Sequence, residues 1–159
     1  MAQKVTPFLW YDGQAEEAVN FYRSIFKDLK INSITRYNEA MPDMAGKVMT
    51  VDFELFGQRF TALNGGPEYK FTPAVSFMVH CQSQQEVDAY WDQLLEGGRP
   101  DMCGWLTDKY GLSWQIVPEK LYELLNHPNP EAAQRVTQAM LQMVKLDLNV
   151  LERAAAEPV

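Results

Sequence analysis

The stretch "FTPAVSFMVHC", residues 71–81, runs from a Thr-Pro pair into an apolar, β-branched segment, and the chain has already done this once. "VTPFLWY", residues 5–11, has the same Thr-Pro opening and the same apolar run, closing at Asp12-Gly13. Both read as short buried strands. Proline cannot donate to a sheet ladder, so Pro7 implies an edge position or a first-residue role in the first of them. A helical pattern succeeds each strand. After the first, Ala15, Ala18, Val19, Tyr22, Ile25 and Phe26 recur at helical spacing, with Glu16 and Glu17 in the first turn and Lys27 in the last. After the second, Ser83-Gln84-Gln85-Glu86 is a capping box, Val87, Tyr90, Trp91, Leu94 and Leu95 form an apolar face, and Gly97-Gly98 stops the helix.

Strand candidates then complete each half. In the first they are "INSITRY", "KVMTVDFELFG" and "QRFTALNGG", with a hairpin at Phe56-Gly57-Gln58-Arg59. In the second, "DMCGWLTD" and "LSWQIVP" lie on either side of Tyr110-Gly111. The order is strand, helix, strands, and then the same again. The expected class is α+β: two tandem modules, about residues 1–70 and 71–118, then a helical tail over 119–159. In the tail, "PEKLYELLN" is one short helix. "NPEAAQRVTQAMLQM" starts with Asn129 as N-cap, Pro130 at the first helical position and Glu131 behind it, and Asp147 caps "LNVLERAAAE", with Val150 and Leu151 inward. Val136, Met140, Met143 and Val144 form one stripe, read as core or dimer contact.

Composition narrows the function. Of 159 residues 47% are hydrophobic, enough for a core without staples, and the net charge of −7 leaves no basic footprint for nucleic acid or an anionic membrane surface. Cys81 and Cys103 form no Cys-x-x-Cys pair, "MAQKVTPFLWYDG" lacks a signal-peptide core, and no apolar run reaches spanning length. The expectation is a cytoplasmic protein with free thiols.

Three motifs, "TPFLWYDGQAEEAVNFY", "FTALNGGPEYKFTPAVSFMV" and "CGWLTDKYGLSWQIVP", together resemble the PhnB-like branch of the glyoxalase / bleomycin-resistance / dioxygenase (vicinal oxygen chelate) superfamily, which often carries a demethylubiquinone-methyltransferase-like label. The resemblance extends into the tail through "AMLQMVKLDLNVLERA". It implies paired βαβββ modules curled into a cup, commonly as a homodimer, with a divalent ion in metal-using members. Their ligands are His, Gln or Glu on the first strand of each module and Glu on the last. Here residues 5–11 offer no such ligand, the second module's position falls near Ala74, and the last strands carry Asn64 and Gln115. Neutral amides offset ion desolvation poorly, so no metal and no cofactor is expected. Methyl transfer is not supported either. Gly65-Gly66 runs into Pro67 and Gly97-Gly98 ends a helix, whereas a Rossmann-type site needs glycines between a strand and a helix.

Strand alternation in "LSWQIVP" puts Ser113, Gln115 and Val117 on one face and Leu112, Trp114 and Ile116 on the other. With Gln115 at the family's ligand position, Ser113 and Gln115 look into the cup and Trp114 packs under the helices; Ser76 and Met78 join the cup face. Trp105 either floors the cup or fills core. The ligand-contacting set is thus Gln115, Ser113, Ser76, Asn64 and Trp105. Asp108 and Lys109 read as an Asx-turn or local ion pair, and Gly111 as a positive-φ turn residue. Cys103 is read as a small buried residue rather than a nucleophile served by His80 or His127, His80 as a strand-edge histidine bonded to backbone, and His127 as a solvated loop residue. The expected function is a metal-free homodimer binding a small, partly aromatic molecule. The competing readings are an enzyme of the same superfamily and a protein whose filled cup serves association only.

Overall fold

The structure is a computed structural model, and it describes residues 3–156. It divides into two compact units, Met1–Phe71 and Thr72–Val159. The first is built from β1 (Phe8–Tyr11), α1 (Ala15–Ile25), β2 (Lys30–Arg36), β3 (Val48–Leu55) and β4 (Gln58–Asn64). The second repeats the plan with β5 (Ser76–Cys81), α2 (Gln84–Leu95), β6 (Arg99–Pro100), β7 (Trp105–Thr107) and β8 (Ser113–Pro118), then adds α3 (Lys120–Leu125), α4 (Pro130–Leu141) and α5 (Leu148–Ala156). The tandem βαβββ reading and the α+β class therefore hold. Glu157, expected as the end of the last helix, lies outside the described residues.

Each sheet has four strands, ordered β1-β4-β3-β2 and β5-β8-β7-β6, so the first strand of each module pairs parallel with its last. β1 is an edge strand and Pro7 lies just before it, so the proline takes no ladder position. In the first unit Leu9, Val51, Phe53, Phe60 and Ala62 bury one sheet face beside α1, whose Ala18, Val19 and Tyr22 are likewise buried. The β3–β4 hairpin turns at Phe56 and Gly57, both at positive φ, the geometry that matches strand twist. α1 ends at Ile25, so Arg23 rather than Lys27 supplies the basic residue of its last turn.

In the second unit Leu106, Trp114 and Ile116 are buried with Val87, Trp91 and Leu94 of α2. Ser83 Oγ accepts from Glu86 N, and the Glu86 carboxylate accepts from Gln82 N, which completes the expected capping box one residue early on its return side. The tail closes a cluster of Val117, Leu121, Leu124, Val136, Leu146 and Leu151. Asn129 and Asp147 cap as expected, through Glu131 N at 3.0 Å and Val150 N at 3.2 Å. The expected apolar stripe is cut short, because α4 ends at Leu141 and Val144 is exposed. Residues 143 and 144 instead pair with the second sheet: their carbonyls accept from Cys103 N and Gly104 N. Gly104, at φ +84, admits this approach, since a Cβ there would stand 2.9 Å from Leu146 Cδ1. Gln84 fastens the same segment, donating to Leu146 O and accepting from Leu148 N, and Lys145 pairs with Asp88 at 2.9 Å.

Candidate functional site

β8 lies between β5 and β7, and its register settles which side chains share a face. Ser76 is opposite Ser113 and Met78 opposite Gln115; on the other side Thr107 is opposite Ser113 and Trp105 opposite Gln115. Phe77 and Trp114, their ring centroids 5.9 Å apart, occupy the α2 side. The face turned away from α2 therefore carries two rows: Arg99, Thr107, Ser113, Ser76, and then Trp105, Gln115, Met78. Four of the five residues expected from the sequence, Gln115, Ser113, Ser76 and Trp105, come together here. Gln115 Nε2 donates to Ser76 Oγ at 2.8 Å. That bond leaves Gln115 Oε1 without a protein partner among the described residues.

The hairpin leading into β8 is organised by Asp108, which is buried. Its Oδ1 accepts from Tyr110 N and Leu112 N, and its Oδ2 accepts from Trp114 Nε1 at 2.9 Å. This is the expected Asx-turn, and Gly111 stands at φ +93 within it. The same carboxylate fixes the one polar atom of Trp114, which holds that indole on the helix side.

The tail covers the other end of the face. Val117 belongs to the tail's apolar cluster with Met78 packed against it, and Tyr122 Oη donates to Met78 Sδ at 2.8 Å. His80 is exposed beside the Tyr122 ring; among the described residues it makes no hydrogen bond, contrary to the backbone bond expected. His127 Nδ1 accepts from Asn129 N.

Asn64 is not on an equivalent face. Tyr11 is opposite Asn64 in the first sheet, whereas Ser76, Met78 and Gln115 mark the open positions of the second. Matching the first-strand registers, Leu63 is the counterpart of Gln115 and Asn64 that of Ile116. A one-residue offset moves a side chain to the opposite face. Asn64 is 6% exposed, its Oδ1 accepts from Ala15 N at 2.8 Å, and its Nδ2 donates to Val48 O at 3.0 Å. It caps α1 from the sheet, in place of Gln14, which makes no side-chain cap bond. Ala74 likewise falls in the turn before β5, so Ser76 is the first open-face position of that strand.

Neither thiol is placed for chemistry on this face. Cys81 is wholly buried on the α2 side, and burial pushes its pKa up to about 12, so it stays protonated. Cys103 stands at φ 60 and gives its N–H to Met143 O. The first sheet's open face differs in kind. Asp52 accepts from Thr61 Oγ1 at 2.6 Å and from Ser33 Oγ at 3.2 Å, and Trp10 Nε1 donates to Gly66 O.

Two four-stranded modules of this order define a glyoxalase-type, vicinal oxygen chelate fold. Residues 3–117 match the family model described as 3-demethylubiquinone-9 3-methyltransferase, and the chain belongs to that PhnB-like family. The match stops short of the tail, so the helices after β8 lie outside the family model, contrary to the extent suggested by "AMLQMVKLDLNVLERA". Among solved structures, the chain is similar to a putative 3-demethylubiquinone-9 3-methyltransferase, PhnB protein, from Bacillus cereus: 40% identity over 73% of this chain and 99% of that one, TM-score 0.66. Protein PA1353 from Pseudomonas aeruginosa is 20% identical over 74% of this chain and 98% of that one, TM-score 0.61. The fosfomycin resistance protein FosX from Listeria monocytogenes, solved with Mn(II) and sulfate, is 13% identical over 73% of this chain and 91% of that one, TM-score 0.53. The last two share the fold. No curated protein matches the chain.

The side chains on the second sheet's open face do not suit a divalent ion. Around Gln115 the donors are one amide and three hydroxyls, all neutral, and the amide already donates to Ser76. The first sheet's carboxylate, Asp52, accepts from two hydroxyls. Among the described residues no three His, Cys, Asp or Glu side chains gather. A divalent cation is bound through carboxylates or imidazoles that offset its lost hydration, and this face offers none at the ligand position. Also among the described residues, no helix is long and apolar enough to cross a membrane.

Proposed function

We propose that this protein is a homodimer that binds a small, partly aromatic molecule on the open face of its second sheet, without a metal. One observation carries the reading: Gln115 is oriented by Ser76 yet keeps an open carbonyl oxygen, between the Trp105 indole and the Met78 thioether. An apolar surface with a few fixed polar groups is the usual make-up of a small-molecule site. The Trp105 ring is half-buried and stacks on no other ring among the described residues.

The family's name speaks of methyl transfer, but the glycine pairs here do other work: Gly65 lies against the Trp10 ring, and Gly98 against Thr107 O. Dimerisation is supported by the sheet edges β1, β2, β5 and β6 and by exposed Phe8, Tyr69, Val75 and Leu141.

The test is native mass spectrometry with metal analysis on protein purified without chelator, followed by titration with small aromatic phenols and amides, whose O–H or N–H can donate to the open Gln115 oxygen. Gln115→Leu removes the amide at nearly constant volume and is expected to weaken binding about tenfold while leaving folding intact. One tightly held zinc, manganese, nickel or iron per chain would overturn the metal-free reading. A Gln115→Leu protein that binds as before would remove Gln115 from the site, and a monomer in sedimentation at micromolar concentration would overturn the dimer.

A further inference from the structure

Asn64 is followed by Gly65, and no other asparagine in the chain precedes a glycine. In such a pair the glycine's backbone nitrogen can reach the amide carbon with no side chain in its way. The nitrogen loses its proton and attacks. A bond forms between Gly65 N and Asn64 Cγ, the Cγ–Nδ2 bond breaks, and ammonia leaves a five-membered succinimide. Water then adds to one of the two ring carbonyls and opens the ring. One opening gives aspartate. The other gives isoaspartate, whose main chain runs through Cγ and is one methylene longer. The pair is thus a modification site that needs only water and a backbone free to turn.

The fold uses both residues of this labile pair. Asn64 caps α1 through Ala15 N at 2.8 Å and holds Val48 O at 3.0 Å. Beside Gly65 stands the Trp10 ring, 2.5 Å from where a Cβ would be, so any larger residue would displace that indole. The indole is itself fixed by its bond to Gly66 O at 2.9 Å.

The same bonds oppose the reaction. Cyclisation swings Cγ onto Gly65 N, which breaks both side-chain bonds of Asn64. Gly65 N must be free as well, whereas it donates to Tyr11 O at 2.9 Å. The Tyr37 hydroxyl holds the carbonyl oxygen of the same peptide group. Asn64 is buried, which keeps out the hydroxide that would take the Gly65 proton.

We propose that Asn64-Gly65 is a deamidation site gated by folding, which reacts only while the end of β4 is detached from β1 and α1. Deamidation then records the time the first unit has spent open. The isoaspartate product is also one-way. Its extra backbone methylene falls next to Leu63, which is paired with both Trp10 and Thr50, and its carboxylate no longer stands where the cap of α1 is needed. A chain carrying it does not rebuild this corner.

The test uses the full chain, incubated at mildly alkaline pH in native buffer and in guanidinium chloride, then digested with trypsin. The peptide spanning residues 60–70 reports Asn64 by mass, and electron-transfer fragmentation separates aspartate from isoaspartate. In denaturant the site should convert at the rate of a synthetic peptide of the same sequence. In native buffer it should convert at least about 100-fold more slowly, because only the opened fraction reacts. Asn64→Gln, which would have to close a six-membered ring, should stay unconverted in denaturant. Equal rates in native buffer and denaturant would overturn the gate, as would faster conversion of another asparagine in denaturant. After dilution from denaturant, isoaspartate should collect in the misfolded fraction on size exclusion. An equal share of it in the native fraction would overturn the one-way step.

Discussion

Replacing Asn64 with alanine tests whether that amide is architecture. Its Oδ1 holds the first N–H of α1 at Ala15, and its Nδ2 holds Val48 O at the start of β3. Truncation breaks both bonds and opens a space too small to guarantee water for either group. An unsatisfied buried polar group costs about 1–3 kcal/mol. Ala15 is fully buried and Val48 half-buried, so a total of about 2–4 kcal/mol is expected from these two. For a chain of this size each kcal/mol lowers Tm by about 2–4 °C, giving a drop of about 4–16 °C. The Tyr37 hydroxyl bonds to the backbone carbonyl of Asn64 and survives the change. Asn64→Asp should be milder at the helix end, where a carboxylate suits the N-terminal dipole, though it sets an oxygen against Val48 O. The assay is denaturant unfolding followed by far-UV circular dichroism, with titration of the folded variant by a small phenol in parallel. An unchanged unfolding midpoint, or lost ligand binding at full stability, would refute the assignment of Asn64 to the fold.

Three further outcomes rest on the same geometry. Deleting residues 119–159 should uncover Val117 and Met78 and give aggregation or strong binding of a hydrophobic dye; a soluble, folded truncation would show the tail to be dispensable. Asp108→Asn should destabilise by about 1–3 kcal/mol, because its amide group cannot accept from Trp114 Nε1 and both backbone N–H groups at once; wild-type stability would refute it. Alkaline stability should depend on Cys81. Its thiol is raised from 9.0 to about 12 by burial, so above pH 9 the unfolded chain releases a proton that the folded one keeps. Stability then falls as pH rises from 9 toward 12, by about 1.4 kcal/mol per pH unit from this group. Cys81→Ala should flatten the slope by that amount, and an unaltered slope in chemical denaturation would count against it.

The sequence carried the element order because hydrophobic period and punctuation are local signals. The helix starts at Ser83 and Asn129, the Asx-turn at Asp108 and the face alternation of β8 all depend on neighbours within a few residues. The hidden part depends on register between distant strands. Asn64 and Gln115 each end or interrupt a similar apolar strand, and only the pairing of Tyr11 with Asn64 and Met78 with Gln115 shows that they face opposite ways. Thr107 was hidden for the same reason. In "DMCGWLTD" it is one polar residue among several, and it gains meaning only when Ser113 stands opposite it. The two-residue β6 has no periodicity to read at all.

The tail's hold on the second unit also sets an order of events during synthesis. All four strands of that sheet are made before the residues that cover Val117 and Met78, since Leu121 through Leu151 come later in the chain. At about 5–20 residues per second, the apolar end of the sheet waits about 2–7 s for its last partner, Leu151. The first unit contains none of these residues and has no such delay. Nascent chains are therefore most open to chaperones, and to one another, in the interval between the second sheet and its covering helices. Slowing translation within residues 119–151 should lengthen that interval without altering the finished protein.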